Sequence, residues 1–170
     1  MSKLTIIING RPGSGKDTLC DAVIRQGRAR KVSSIEPIMA IAKLGGWDGV
    51  KDAKSRKLLS DLKSLFSEFN GLPNRYLLEH HQAFLQSGDD IIFVHIRESD
   101  QITAFIDGIK EPVVSLLIRR PGTSGHMGNR SDDETESYTY DVVFDNDMPL
   151  DYLVKARIEM RREYDEIYSR

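Results

Sequence analysis

The chain has 170 residues, 39% hydrophobic and 29% charged, with a formal net charge of −2. That composition fits one globular domain with room for a sizeable core, and the charge supplies no global drive toward nucleic acid. No apolar run approaches the ~18 residues a membrane span needs, and a single cysteine, Cys20, excludes an intramolecular disulfide.

The N-terminus runs straight into an apolar segment, Leu4–Asn9, which reads as a strand. It leaves no room for a signal peptide, so a cytoplasmic protein is expected. The strand is followed at once by GRPGSGKDT, Gly10 to Thr18. Gly10-x4-Gly15-Lys16 has the spacing of a P-loop, the turn that wraps a nucleotide's phosphates. Glycines let successive backbone N–H groups turn inward as an anion nest, and a helix starting near Gly15 adds its positive end. Gly10, Gly13, Ser14 and Gly15 therefore form the expected cradle, and Lys16 reaches the outer phosphates. Arg11 either covers the phosphates or faces solvent. Where Ser or Thr commonly follows the lysine, Asp17 comes first and Thr18 second. Asp17 is read as a Mg²⁺-side carboxylate, with helix capping the alternative, and Thr18 as a hydroxyl donor to the phosphates that shares the metal site. Cys20 falls on the helix that follows and is expected to be buried and inert.

Beyond this helix, strands are predicted at Arg30–Ser33, Asp90–Ile96, Pro112–Ile118 and Tyr140–Asp145. The third and fourth are nearly continuous apolar runs, the pattern of strands covered on both faces. Residues 35–88 hold about three helical segments, with Leu58, Leu62, Leu65, Phe66 and Phe69 at helical spacing. Trp47, among three glycines, either plugs the hinge between two of these helices or offers a surface to an acceptor. Another helix carries Ile102, Phe105, Ile106 and Ile109, with Ser99 as its N-cap. Residues 119–139 are polar and weakly patterned, as a lid would be. A last helix carries Leu150, Leu153, Val154, Ile158, Arg161 and Tyr164. The alternation implies an α/β, three-layer P-loop NTPase fold with a five-stranded parallel sheet, in a single domain spanning 1–170.

This organisation resembles the nucleoside and nucleotide kinases of the adenylate-kinase type. The resemblance implies that residues 35–88 bind an acceptor and that 119–139 close over ATP. GRPGSGKDT, HIRESDQITAFID (His95 to Asp107) and RSDDETES with YDVVFDND (Arg130 to Asp147) are similar to the phage-type deoxynucleoside monophosphate kinases and the animal-type phosphomevalonate kinases. Members of that branch often carry an Asp where His95 stands. A neutral imidazole cannot supply that charge, so Asp17 or Glu98 is left to serve the metal; alternatively, His95 is a strand-end residue bonded to nearby backbone.

Phosphoryl transfer needs alignment and positive charge more than covalent chemistry. Lys16 is the expected donor-side catalytic residue. Arg97, just past the third strand, is the acceptor-side choice, because ligands of open α/β sheets gather at strand C-termini. Among Arg119, Arg120 and Arg130, the choice falls on Arg120 and Arg130 to touch the phosphates. The run Asp132, Asp133, Glu134 and Glu136 is expected to pair with lid arginines. Arg56 and Lys57 read as exposed helix charges before acceptor contacts. Asn146 sits where the related kinases hold the adenine edge. The resemblance implies ATP and Mg²⁺ as cofactors and a small phosphorylated acceptor, a nucleoside monophosphate first and a phosphomevalonate-like molecule second. A nucleotide-binding sensor without efficient transfer is the competing reading.

Overall fold

The structure is a computed structural model and describes residues 3–122 and 135–147. Five strands form one parallel sheet in the order β2-β3-β1-β4-β5, namely β1 (Leu4–Asn9), β2 (Ala29–Ser33), β3 (Ile91–His95), β4 (Val113–Arg119) and β5 (Val142–Asp145). Every predicted strand is present, with ends shifted by a residue or two. The α/β class with a five-stranded parallel sheet is therefore as the alternation implied.

The central strand β1 is buried along its whole length, because it has a neighbour on each edge and helices on each face. On one face, Ile6, Ile8, Phe93 and Leu116 pack with Leu19, Cys20 and Val23 of α1 (Lys16–Arg25). On the other, Ile7, Ile92, Val94 and Leu117 pack with Leu77 and Phe84 of α4 (Leu72–Leu85) and with Ile102 and Phe105 of α5 (Ser99–Asp107). Between β2 and β3 the insert contributes α2 (Glu36–Leu44), α3 (Ala53–Asn70) and α4.

The insert's own core is small: Ile38, Ala42 and Leu59 are buried, with Trp47, Leu62 and Phe66 half-buried around them. Trp47 donates its indole N–H to the Val50 carbonyl at 2.9 Å, and so serves as the hinge plug between α2 and α3. Asp52 caps α3 by accepting from the Ser55 N–H at 2.7 Å. At α5 the N-cap is Glu98 and Ser99 is the first helical residue, one position from the sequence expectation. The Glu98 side chain is committed elsewhere. The predicted last helix, Arg130 and the run Asp132, Asp133 and Glu134 lie outside the described residues.

Candidate phosphate and acceptor site

The sheet delivers β1, β2 and β3 side by side, all ending at the same edge. The segments leaving these strands therefore converge: the glycine loop after β1, Ser34 after β2, and Arg97 after β3.

The glycine loop is shaped by contacts that a side chain would break. A Cβ on Gly10 would come within 2.6 Å of the Ile118 carbonyl, a backbone atom that cannot swing away. Gly15 has φ +97 and would place its Cβ 2.5 Å from Asn146 Nδ2. The loop closes on itself through Ser14 N–H to the Arg11 carbonyl, 3.0 Å, and α1 begins directly at Lys16. Ser14 Oγ is buried and has no hydrogen-bond partner among the described residues. A buried hydroxyl normally has one, so an orphan inside a glycine nest fits a bound oxyanion.

Two asparagines hold this loop, and sequence reasoning found only one of them. Asn146 donates through Nδ2 to the Ser14 carbonyl at 2.7 Å, so it braces the phosphate loop from the last strand. Asn9 joins three segments. Its Oδ1 accepts from the Gly10 N–H at 2.8 Å, and its Nδ2 donates to the Arg97 carbonyl at 3.1 Å and to Tyr140 Oη at 2.7 Å. Tyr140 in turn donates to the Thr135 carbonyl at 2.8 Å, and burial pushes its phenol up to about 12, so it stays a donor. The signal for Asn9 was present in the sequence: one amide ends an otherwise apolar strand.

Lys16 is buried, with Nζ 3.7 Å from Asp17 Oδ2. Asp17 and Thr18 are exposed. His95 points toward this carboxylate, its Nδ1 4.0 Å from Asp17 Oδ1 and its Nε2 3.6 Å from the Cys20 sulfur. Burial pushes the imidazole down to about 4, a shift that Asp17 opposes and Lys16, Lys31 and Arg97 reinforce. His95 is thus neutral near pH 7. Its side chain meets a thiol and a carboxylate; no bond from its ring to nearby backbone is needed to place it. Burial also pushes the Cys20 thiol well above its ordinary range, so it is an inert core thiol. Glu98 is buried and accepts from Lys63 Nζ of α3 at 2.6 Å, so an ammonium balances its charge. No cluster of three or more metal-ligating side chains exists among the described residues. The hard oxygens of Asp17 and Thr18 suit Mg²⁺ only as part of a shell completed by phosphate oxygens and water.

A cavity of about 580 Å³ runs from Lys16 and Asp17 along the strand ends to the insert. Its insert wall is one face of α3, where Arg56, Leu59, Ser60 and Lys63 recur at helical spacing. Six cations line it (Lys16, Lys31, Lys51, Arg56, Lys63 and Arg97) against three carboxylates, those of Asp17, Glu36 and Glu98. Some of that charge is already matched: Lys31 bonds Asp21 at 2.6 Å, Lys63 bonds Glu98, and Tyr76 donates to Glu36 at 2.8 Å. Lys16, Arg56 and Arg97 line the same cavity, and the excess of cations over carboxylates there suits an anionic occupant.

The arginines expected from sequence divide. Arg97 lines the cavity at the end of β3. Arg119 forms a two-point pair with Asp145, 2.9 and 3.2 Å, and Arg120 is exposed and outside the cavity lining. Arg11 donates to Glu136 at 3.0 Å, so the loop arginine meets the acidic segment that the lid reading had assigned to lid arginines. Arg56 lines the cavity and donates to the Lys51 carbonyl at 3.2 Å, whereas Lys57 pairs with Asp61 on the helix surface. Lys63 escaped sequence reasoning; its trace there is a charge four residues past Leu59, interrupting an apolar face.

The chain matches no family model and no curated protein sequence. Its fold does match solved structures. TT1252 from Thermus thermophilus is 18% identical with a TM-score of 0.55, covering 96% of this chain and 98% of that one. Thymidylate kinase from Ehrlichia chaffeensis is 12% identical with a TM-score of 0.52, covering 95% and 98%. The Mycobacterium tuberculosis APS kinase is 13% identical with a TM-score of 0.50, covering 95% and 98%. At these identities the likeness is one of fold: the chain has the fold of P-loop kinases. No helix among the described residues is long and apolar enough to cross a membrane.

Proposed function

We propose that this protein is an ATP- and Mg²⁺-dependent kinase that transfers the γ-phosphoryl group to a small phosphorylated acceptor. The acceptor to test first is a ribo- or deoxynucleoside monophosphate. The observation that carries this reading is the continuous cavity joining Lys16 to Arg97 and Arg56. A donor loop alone would serve any nucleotide-binding protein; a cation-rich chamber opening onto its lysine suits two phosphates brought together.

In this reading the Gly10–Gly15 amides and Ser14 Oγ hold the donor's phosphates, and Lys16 balances charge on the outer ones. Asp17 and Thr18 hold the metal side, where Mg²⁺ would neutralise charge on the outer phosphate oxygens. Arg97 and Arg56 hold the acceptor phosphate, the planar fork of each matching its oxygens. Arg120 and Arg130 are proposed to close over the transferring group, and Asn146 both braces the loop and borders the nucleotide.

A second reading, a nucleotide sensor without efficient transfer, is favoured by one observation: His95 is neutral where the resembling kinases often place a carboxylate. ADP release from MgATP separates the two, using a panel of nucleoside monophosphates and phosphomevalonate. Stimulation by one acceptor supports the kinase and names its substrate. Tight MgATP binding with no stimulation favours the sensor, and His95→Asp then tests whether a carboxylate restores transfer.

A further inference from the structure

Three carboxylates line the cavity, and two of them have a cation at hand: Asp17 lies 3.7 Å from Lys16 Nζ, and Glu98 bonds Lys63. Glu36, the first residue of α2, forms no ion pair among the described residues. Its side chain accepts one hydrogen bond there, from Tyr76 Oη at 2.8 Å. Tyr76 belongs to α4 and is not among the lining residues, so it grips the carboxylate from outside the cavity. The Tyr76 ring packs against His80 with centroids 4.3 Å apart. Burial and the bond to Glu36 push its phenol up to about 12, so it stays a donor near pH 7. A carboxylate offers about four acceptor positions. The remaining ones at Glu36 make it a fixed hydrogen-bond acceptor in a chamber otherwise rich in donors.

The sheet sets this acceptor at the end of the site away from the donor loop. In the order β2-β3-β1, β3 and the Arg97 segment lie between Glu36 and the glycine loop. Neighbouring strands stand about 4.8 Å apart, so β2 ends about 10 Å from β1. Ile35 and Met39 line the cavity beside Glu36. Both are apolar, and a thioether packs well against an aromatic ring.

We propose that Glu36 selects the acceptor by accepting a hydrogen bond from the amino group of its base, in a nucleoside monophosphate whose phosphate lies toward Arg97. The proposal rests on the kinase reading above and names the acceptor within it. A phosphate at Glu36 would be repelled, which fixes the direction in which the acceptor lies. Adenine, cytosine and guanine each carry an exocyclic amino group that a carboxylate can meet. Thymine and uracil have one N–H, set between two carbonyl oxygens that a carboxylate repels. Glu36 therefore favours the amino-bearing bases, and Tyr76 is a positioning residue that holds its carboxylate in place.

The test uses the whole chain, Glu36→Gln and Tyr76→Phe. It measures ADP release from MgATP with dAMP, dCMP, dGMP and dTMP, and the binding of each by calorimetry without ATP. At least one amino-bearing acceptor should exceed dTMP in kcat/KM by about tenfold to a hundredfold. Glu36→Gln keeps the side chain's shape and can accept from Tyr76 through its carbonyl, leaving an N–H2 donor for the base. The preference should then vanish or pass to dTMP. Tyr76→Phe should reduce it by about threefold to tenfold. Unchanged MgATP affinity would show that the variants are folded. If dTMP serves as well as the others, or if Glu36→Gln leaves the preference unchanged, the role of Glu36 is overturned while the kinase stands. If nothing is turned over, but binding shows the same preference and Glu36→Gln abolishes it, the kinase reading falls and the role of Glu36 stands. Turnover of phosphomevalonate with no binding of any of the four overturns the role of Glu36 and keeps the kinase. No binding and no turnover of any acceptor overturns both.

Discussion

The phosphate loop and the helical insert meet across one cavity but are built on opposite principles. The loop is held by short, specific contacts on a buried sheet: Gly10 against Ile118, Asn146 on Ser14, and Asn9 between the loop, Arg97 and Tyr140. The insert has three buried core residues, a long helix exposed on one side, and a buried ion pair that ties it to the sheet. The first region tolerates almost no change in shape. The second depends on charge to set its distance from the strand ends. In the proposed reading, a donor site on this rigid frame faces an acceptor wall on a loosely cored insert, an arrangement that would let acceptor selectivity vary without disturbing phosphate binding.

The comparison breaks most sharply at Lys16. Lys16→Ala should lower turnover by at least about a thousandfold, over 4 kcal/mol of transition-state stabilisation, while unfolding stability barely changes. Steady-state kinetics beside thermal unfolding checks both halves. Retained MgATP binding and turnover would remove the loop from the function.

On the insert side the largest effect should be structural. Lys63→Met removes the ammonium from the buried Glu98 carboxylate and should cost about 3–5 kcal/mol. Lys63→Met with Glu98→Leu should recover most of that in urea unfolding. If the double variant regains stability yet keeps a raised acceptor KM, the pair positions the wall as well as supporting it.

Acid tests the junction between the regions. The unfolded His95 gains a proton at its ordinary 6.5, but the folded imidazole holds out to about 4. The folded state therefore binds fewer protons across this window, and stability falls as pH drops from 6.5 to 4, by up to about 3 kcal/mol from this group. His81, which burial also pushes down, acts in the same direction. Asp21, held below its ordinary range by its bond to Lys31, loses its contribution only below that window. His95→Gln should flatten the His95 share of the slope in unfolding experiments run at stepped pH.

The smallest effect sharpens the division of labour. Arg97→Ala should raise acceptor KM by about tenfold to thirtyfold, or roughly 1–2 kcal/mol, with MgATP affinity unchanged. Equal losses for donor and acceptor would move Arg97 to the donor side.

Most of the frame was legible from the chain alone because its signals are local. Glycine spacing, apolar strand runs and helical periodicity each depend on a few neighbours, so the loop, all five strands and the three insert helices were readable. The roles of single polar residues were less so. Asn9 and Lys63 look unremarkable in sequence, and they matter because β1 lies between β3 and β4, and because α3 crosses the end of β3. Asn146 was read for its position near a nucleotide, but its bond to Ser14 spans 132 residues of sequence. Arg119 and Arg120 are adjacent letters, and only the neighbouring strand β5 decides that Arg119 is spent on Asp145.

By itself, then, the sequence determined the fold class and the glycine-loop motif, since both follow from patterns that repeat over a few residues. Only the tertiary structure decided which charges are already paired, which face the cavity, and which face of α3 is left bare. Those outcomes depend on long-range packing, and pairing of charges far apart in sequence is invisible until the strands have chosen their neighbours.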